Sequence, residues 1–285
     1  MAPPADARAA GVPVAIDPSS TPTVDARGAA ASRRNRRGRS TLGLVSVLAG
    51  LILWEFAGTR GWVNPIILSP PHAVAVAGVE LARSGELTRH VGISLRELGV
   101  GLALAVAVGV PVGVVAGWSR RLSWVLRPLT AVFYATPVIV FAPLIVAWLG
   151  IGFWDKVLLV FLEGFFQFFV TVSAGVGALN EAWLRVATAF AAGPRFTLRT
   201  VVLPGSVPYM VAGARLATGR GLVTVVVAEL LASTAGLGWM VAYYGQNFKT
   251  PYVYVALVVT AGLGMLADAG LRRLERRVER WRPAA

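Results

Sequence analysis

Six long apolar stretches, set apart by short polar or arginine-bearing segments, constrain this chain more than anything else in it. They run over 41–58, 91–118, 122–149, 154–179, 206–232 and 252–271. Roughly 20 apolar residues suffice for a helix to cross a bilayer. Within hydrocarbon the backbone must bond to itself, so a spanning segment is a helix or part of a closed barrel. The short apolar–polar alternation of a membrane barrel is absent. The sequence therefore predicts an all-α, polytopic integral membrane protein with six transmembrane helices. Composition agrees: 56% of the 285 residues are hydrophobic and 14% charged, where about one quarter is charged in a soluble domain. An ordinary soluble enzyme and a disordered chain are both excluded. The chain has no cysteine, which removes disulfides, thiolate metal sites and thiol nucleophiles.

The formal net charge is +13. Such a balance can point to nucleic acid, but its distribution argues otherwise. If the N-terminus is cytoplasmic, 19 of the 27 Lys and Arg residues fall on inner segments and five on outer ones. The positive-inside rule then places both termini in the cytoplasm of a multi-pass plasma-membrane protein. The basic charge sets topology and meets anionic lipid, and no nucleic-acid partner is expected. Residues 1–40, rich in Ala, Pro, Ser and Arg, read as a disordered basic cytoplasmic tail, and 41–285 as the transmembrane domain. The tail lacks the apolar core of a signal peptide. A twin-arginine signal at Arg33-Arg34 is disfavoured because further spans follow.

Two segments outside the spans are long enough to hold structure. The outer one, 59–90, has an extended proline portion followed by a short amphipathic helix. The inner one, 180–205, reads NEAWLRVATAFAAGPRFTLRTVVLPG. It predicts a helix to about Ala192, a break at Gly193-Pro194, a second short helix, and a stop at Leu203-Pro204-Gly205. An inter-span loop of this length is usually functional. Taken by itself it also fits an amphipathic helix lying on the membrane surface.

The loop nevertheless resembles the EAA loop of ABC importer permeases. Ile67-Leu68-Ser69-Pro70, Ser84-Gly85-Glu86-Leu87 with His90, Thr136-Pro137, Ala142-Pro143-Leu144, Trp148-Leu149-Gly150, Ala228-Glu229 and Ala235-Gly236-Leu237-Gly238 extend that likeness. As an ordered set they resemble permeases of the nitrate/sulfonate/taurine class over about 41–283. The resemblance implies a type I ABC importer permease fold. It implies a coupling helix in the 180–205 loop that docks on an ABC ATPase subunit. It also implies a second permease copy, most simply in a homodimer, and an extracytoplasmic substrate-binding protein. Arg185, Ala187, Ala191, Gly193, Leu203, Pro204 and Gly205 would form the coupling loop. Two positions depart from the family pattern: its motif glutamate falls on Arg185 and its motif glycine on Ala191. Small oxyanions such as nitrate, a sulfonate or taurine are the implied cargo, with a heteroaromatic vitamin precursor as the alternative.

The chain lacks the G-x-x-x-x-G-K-[ST] loop, since Lys156 follows Asp155 and Lys249 follows Phe248. ATP and Mg2+ are therefore expected on a separate partner chain, with no cofactor, metal or catalytic residue in this one. His72 and His90 are not at metal-ligand spacing, and no G-x-S-x-G occurs. A secondary transporter would need a pair of broken helices and an ion-binding cluster, neither of which is legible.

Charged residues inside spans cost about 2.5–3.5 kcal/mol on insertion scales and usually face protein or a water-filled path. Glu55, Glu163, Arg215, Arg220 and Glu229 are of this kind. Arg215, Arg220 and Glu229, with Pro137, are the candidates for the pathway or for the contact between permease copies. Pairing between neighbouring helices is the competing reading. Pro137 and Pro143 would break the third span, either as a static kink or as a point about which helices rock. The last segment continues the sixth span as an arginine-rich amphipathic helix with Leu271, Leu274, Val278 and Trp281 on one face.

Overall fold

The computed structural model describes residues 45–60, 67–119, 121–125, 136–179 and 181–279, with 42, 64, 128 and 130 as single positions. The 1–40 tail, Asn180, Trp281 and much of the first half of the third apolar stretch lie outside the described residues. Among the described residues every regular element is helical.

Among the described residues, four of the six apolar stretches hold helices long and apolar enough to cross a membrane, and the first and third hold shorter ones. α1 covers Val45–Thr59. A proline-led amphipathic helix, α2, Pro71–Arg83, and the turn at Ser84-Gly85 follow. Gly85 adopts φ +76°, which a residue with a side chain rarely takes. α3 then runs Glu86–Trp118, 33 residues and about 50 Å long. After Pro137 come a 3₁₀ turn, Val138–Phe141, and α4, Ala142–Leu149. α5 is Trp154–Gly177 and α6 is Glu181–Ala189. α7 extends over Pro194–Leu231, α8 over Leu237–Gln246, and α9 over Thr250–Glu279.

Two units are distinguished, Met1–Leu53 and Trp54–Ala285. In the first, 45–53 are helical and supply the opening turns of α1. In the second, α3, α5 and α7 pack side by side along much of their length, and α9 lies against α2, α7 and α8. Leu98, Val160, Leu222 and Val225 join α3, α5 and α7 in one buried cluster. The close approach of α3 to α5 follows from sequence. Gly101, Ala105, Gly109, Gly113 and Gly117 recur every four residues and so line one face of α3. A Cβ at Gly101 would stand 2.6 Å from the Val160 side chain, so the backbones can meet only because it is glycine. Large apolar side chains such as Leu257, Val258, Met265 and Leu266 of α9 point outward, as suits a surface solvated by lipid.

Three expectations change. The third stretch is not one kinked helix in its described part. Pro137 is extended (φ −59°, ψ 120°) and precedes the 3₁₀ turn, while Pro143 sits in the first turn of α4, where its missing N–H is not needed. Second, Leu203-Pro204-Gly205 is not a stop. The helix begins at Pro194 and continues through it for 38 residues, about 57 Å. A π-turn, Leu198–Val202, precedes the proline and bonds Leu203 N–H to Leu198 O. That wider turn accommodates a ring which would otherwise collide with the carbonyl four residues back. Third, α6 ends at Ala189 rather than at Ala192.

Candidate functional site

α6 and the start of α7 gather apolar surface that no other described residue covers. On α6, Ala187 is buried while Trp183, Arg185 and Val186 are exposed. The helix closes with the Ala192 N–H on Ala187 O and the Ala191 N–H on Thr188 O. This paired arrangement requires a left-handed residue at the bend, and Ala191 takes it with φ +50°. The position onto which the family's motif glycine falls is thus one where the backbone itself favours glycine. Gly193 then accepts the N–H and the hydroxyl of Thr197, fixing the first turn of α7 behind Pro194. Gly205 lets the Leu179 side chain approach to 2.8 Å of where a Cβ would lie. Leu203 and Pro204 lie at the surface. Two hollows open here, of about 770 and about 570 Å3. Trp183, Val186 and Val201 border both, Val278 of α9 and Pro204 border the larger, and Phe190 and Phe196 border the smaller. Phe190 is 83% exposed and Phe196 62%. In a membrane protein, contiguous apolar surface of this kind meets either a partner or lipid.

Near the middle of α5 and in the last third of α7, a further cavity of about 370 Å3 brings Pro137 and Arg220 together. Its polar wall holds Glu163 and Gln167, one turn apart on α5, with Arg220 and Thr224 of α7 opposite. Phe166, Val223 and Val227 supply apolar wall. An Arg220 guanidinium nitrogen lies 3.5 Å from Glu163 Oε1, and Gln167 Nε2 donates to the same oxygen at 3.3 Å. Gln167 is buried and Glu163 nearly so, whereas the Arg220 side chain is half exposed. Glu163 is legible in the sequence as a charge in a span, but not as the partner of Arg220. The polar Glu163–Gln167 pair within an apolar run was the signal available.

The other two charged candidates lie elsewhere. Arg215 ties α7 to α9: its Nε donates to Asp268 Oδ1 at 2.8 Å and its Nη1 to Glu275 Oε2 at 3.2 Å. Arg272 also pairs with Asp268. Glu229, near the far end of α7, caps the start of α8. Its Oε1 accepts the Ser94 hydroxyl at 2.6 Å and its Oε2 the Gly238 N–H at 2.7 Å. The Leu237 N–H donates to Ser94 Oγ at 2.9 Å and the Gly236 N–H to His90 Nδ1 at 2.9 Å. Three successive N–H groups of a buried helix start are thereby satisfied by side chains of α3 and α7. Gly236 has φ +112°, and a Cβ on Gly238 would fall 2.0 Å from Val226 O. His90 also stacks on Trp239, with ring centroids 4.9 Å apart.

Comparison with known proteins follows this architecture. The model of the family described as binding-protein-dependent transport system inner membrane component matches residues 109–280. The taurine transport system permease protein TauC of Escherichia coli (strain K12) is 33% identical over 246 residues, covering 85% of this chain and 89% of the relative. The aliphatic sulfonates transport permease protein SsuC of Bacillus subtilis (strain 168) is 30% identical, covering 84% and 87%. Among solved structures, a chain of the MetNI methionine ABC transporter in an inward-facing crystal form superimposes with a TM-score of 0.61. It is 20% identical and covers 67% of this chain and 95% of that one.

Proposed function

Because the chain belongs to the family of binding-protein-dependent transport system inner membrane components, and is thus a multi-pass permease subunit of an ABC importer with the type I fold, we propose the following working arrangement. The chain forms the pathway for a small organosulfonate handed over by an extracytoplasmic binding protein. The names of the two relatives support that cargo. Two copies face one another across the pathway. The apolar end built from α6 and the start of α7 faces the cytoplasm and receives an ABC ATPase subunit on each copy. ATP and Mg2+ belong to that partner, and this chain carries out no hydrolysis. Both termini are cytoplasmic, as the arginine distribution favours.

The observation that carries this reading is the union of two features in one helix. α7 begins in the exposed apolar end and continues without interruption to the cavity at Arg220. ATP binding would draw the two ATPase subunits together, and the docked ends would follow. Each α7 would transmit that displacement to the pathway and turn it outward to receive cargo. Hydrolysis would reset it.

Purification from native membranes in mild detergent tests the reading. A P-loop ATPase should accompany the chain in stoichiometric amount and be lost when 180–205 is scrambled. Charge reversal at Arg185 or Arg195 should lower uptake while membrane insertion persists. Uptake that survives ATP depletion and collapses with the ion gradient would instead establish a secondary transporter.

A further inference from the structure

We propose that the Arg220–Glu163 cavity is a cargo-binding site selective for small zwitterions, the cargo's anion taking the Arg220 guanidinium and its cation taking Glu163. This rests on the permease reading above and names the cargo's charge pattern, which that reading leaves open.

The site has the make-up of a charge-exchange site. Arg220 and Glu163 face each other at 3.5 Å, beyond the 2.7–2.9 Å of a close charge-assisted hydrogen bond. Glu163 is held in place from its own helix by Gln167, a buried side chain. The half-exposed guanidinium borders the cavity, and its planar fork matches an oxyanion. Glu163 lies near the middle of α5 and Arg220 in the last third of α7, both within apolar spans where charge is costly.

That setting decides between classes of cargo. A simple anion bound to Arg220 would put a second negative charge beside Glu163, and the two would repel in a low dielectric. A simple cation would meet Arg220 in the same way. A solute bearing both charges on a short apolar spacer replaces one ion pair by two and leaves neither residue alone. Its spacer would lie along Phe166, Val223 and Val227, and a cavity of about 370 Å3 holds such a molecule with water to spare. On departure the Arg220–Glu163 pair re-forms, so the empty pathway holds no uncompensated charge.

The test uses the assembled permease–ATPase complex in nanodiscs without binding protein, probed with radiolabelled taurine and with ethanesulfonate, which differ only in the ammonium group. Wild type should bind taurine more tightly. Glu163→Gln should weaken taurine by about tenfold, the worth of one charge-assisted contact, and strengthen ethanesulfonate, whose repulsion from the carboxylate it removes. Arg220→Gln should abolish both, and Arg220→Lys should restore part of each, which separates recognition from misfolding. Uptake by the complete transporter is measured alongside. If wild type takes up neither probe, the organosulfonate reading fails. If wild type takes up taurine but Glu163→Gln lowers both probes equally, or neither, the zwitterion site is wrong and the pair is only structural.

Discussion

Ala191 carries a conformation that its side chain disfavours. A left-handed residue with a Cβ costs about 1–2 kcal/mol relative to glycine, partly offset by the greater freedom of glycine in the unfolded chain. Ala191→Gly should therefore tighten the bend between α6 and α7. Hydrogen exchange at the amides of residues 191 and 192 should slow by about threefold, with no change elsewhere. Glu229 is a second case in which one side chain fixes local structure. Glu229→Ala would leave the Gly238 N–H buried without an acceptor, costing about 2–4 kcal/mol. Glu229→Gln keeps one acceptor oxygen for that N–H, and its amide can donate to Ser94 Oγ, so it should cost less than half as much. Thermal unfolding in detergent should rank wild type above Gln and Gln above Ala. Glu229 could be read in the sequence as a charge needing a partner, and the Ala235-Gly236-Leu237-Gly238 run as a motif. That the two are one device was not legible, because eight residues and a turn of special backbone geometry lie between the carboxylate and the Gly238 N–H that donates to it, and the other two caps come from α3.

At the scale of elements, apolar length was a faithful guide to the existence of α3, α5, α7 and α9, and a poor guide to their ends. α7 shows why. A proline inside a helical pattern normally ends the helix at the residue before it, and Leu203-Pro204-Gly205 carries that stop signal strongly. The π-turn at Leu198–Val202 removes the obstruction and lets one helix run through. No local propensity reports a turn of that kind, since it is stabilised by the packing on either side. The mechanical role assigned to α7 makes a specific demand. Two glycines inserted after Met210, beyond the residues of α7 that border the two hollows, would add a flexible joint between the apolar end and the cavity at Arg220. ATPase co-purification should persist, since the docking surface is intact, while uptake should fall by at least about tenfold, the factor expected when a positioned element is released. Uptake at the wild-type rate would show that the joint carries no load. The α3–α5 contact, by contrast, was readable in principle from the glycine and alanine recurrence at every fourth residue, a pattern whose meaning lies in spacing alone.

For the whole molecule, the absence of cysteine gives a background in which a single introduced thiol reports its side of the membrane. Arg185 and Phe248 are both exposed and lie at opposite ends of the chain's helices. In intact cells, Phe248→Cys should react with a membrane-impermeant maleimide and Arg185→Cys should not until the membrane is opened. The reverse pattern would invert the proposed orientation. Fold class and family-level role were within reach of sequence because a bilayer admits so few backbone solutions and because the motifs fall in order along the chain. The cavity was not, since Glu163 and Arg220 meet only through the packing of two helices separated by a long loop. The unbroken α7 has one more consequence. In a linkage with play between its parts, the driving end can cycle while the driven end stands still, and fuel is burned without work. A continuous helix from the docking end to the pathway has such play only where its hydrogen-bond ladder is interrupted, at the π-turn Leu198–Val202 and at Pro208. Idle turnover would require it to bend at those points or its docked end to slip, so the coupling between ATP consumed and solute moved would be set by how firmly they are packed, before any recognition of the cargo.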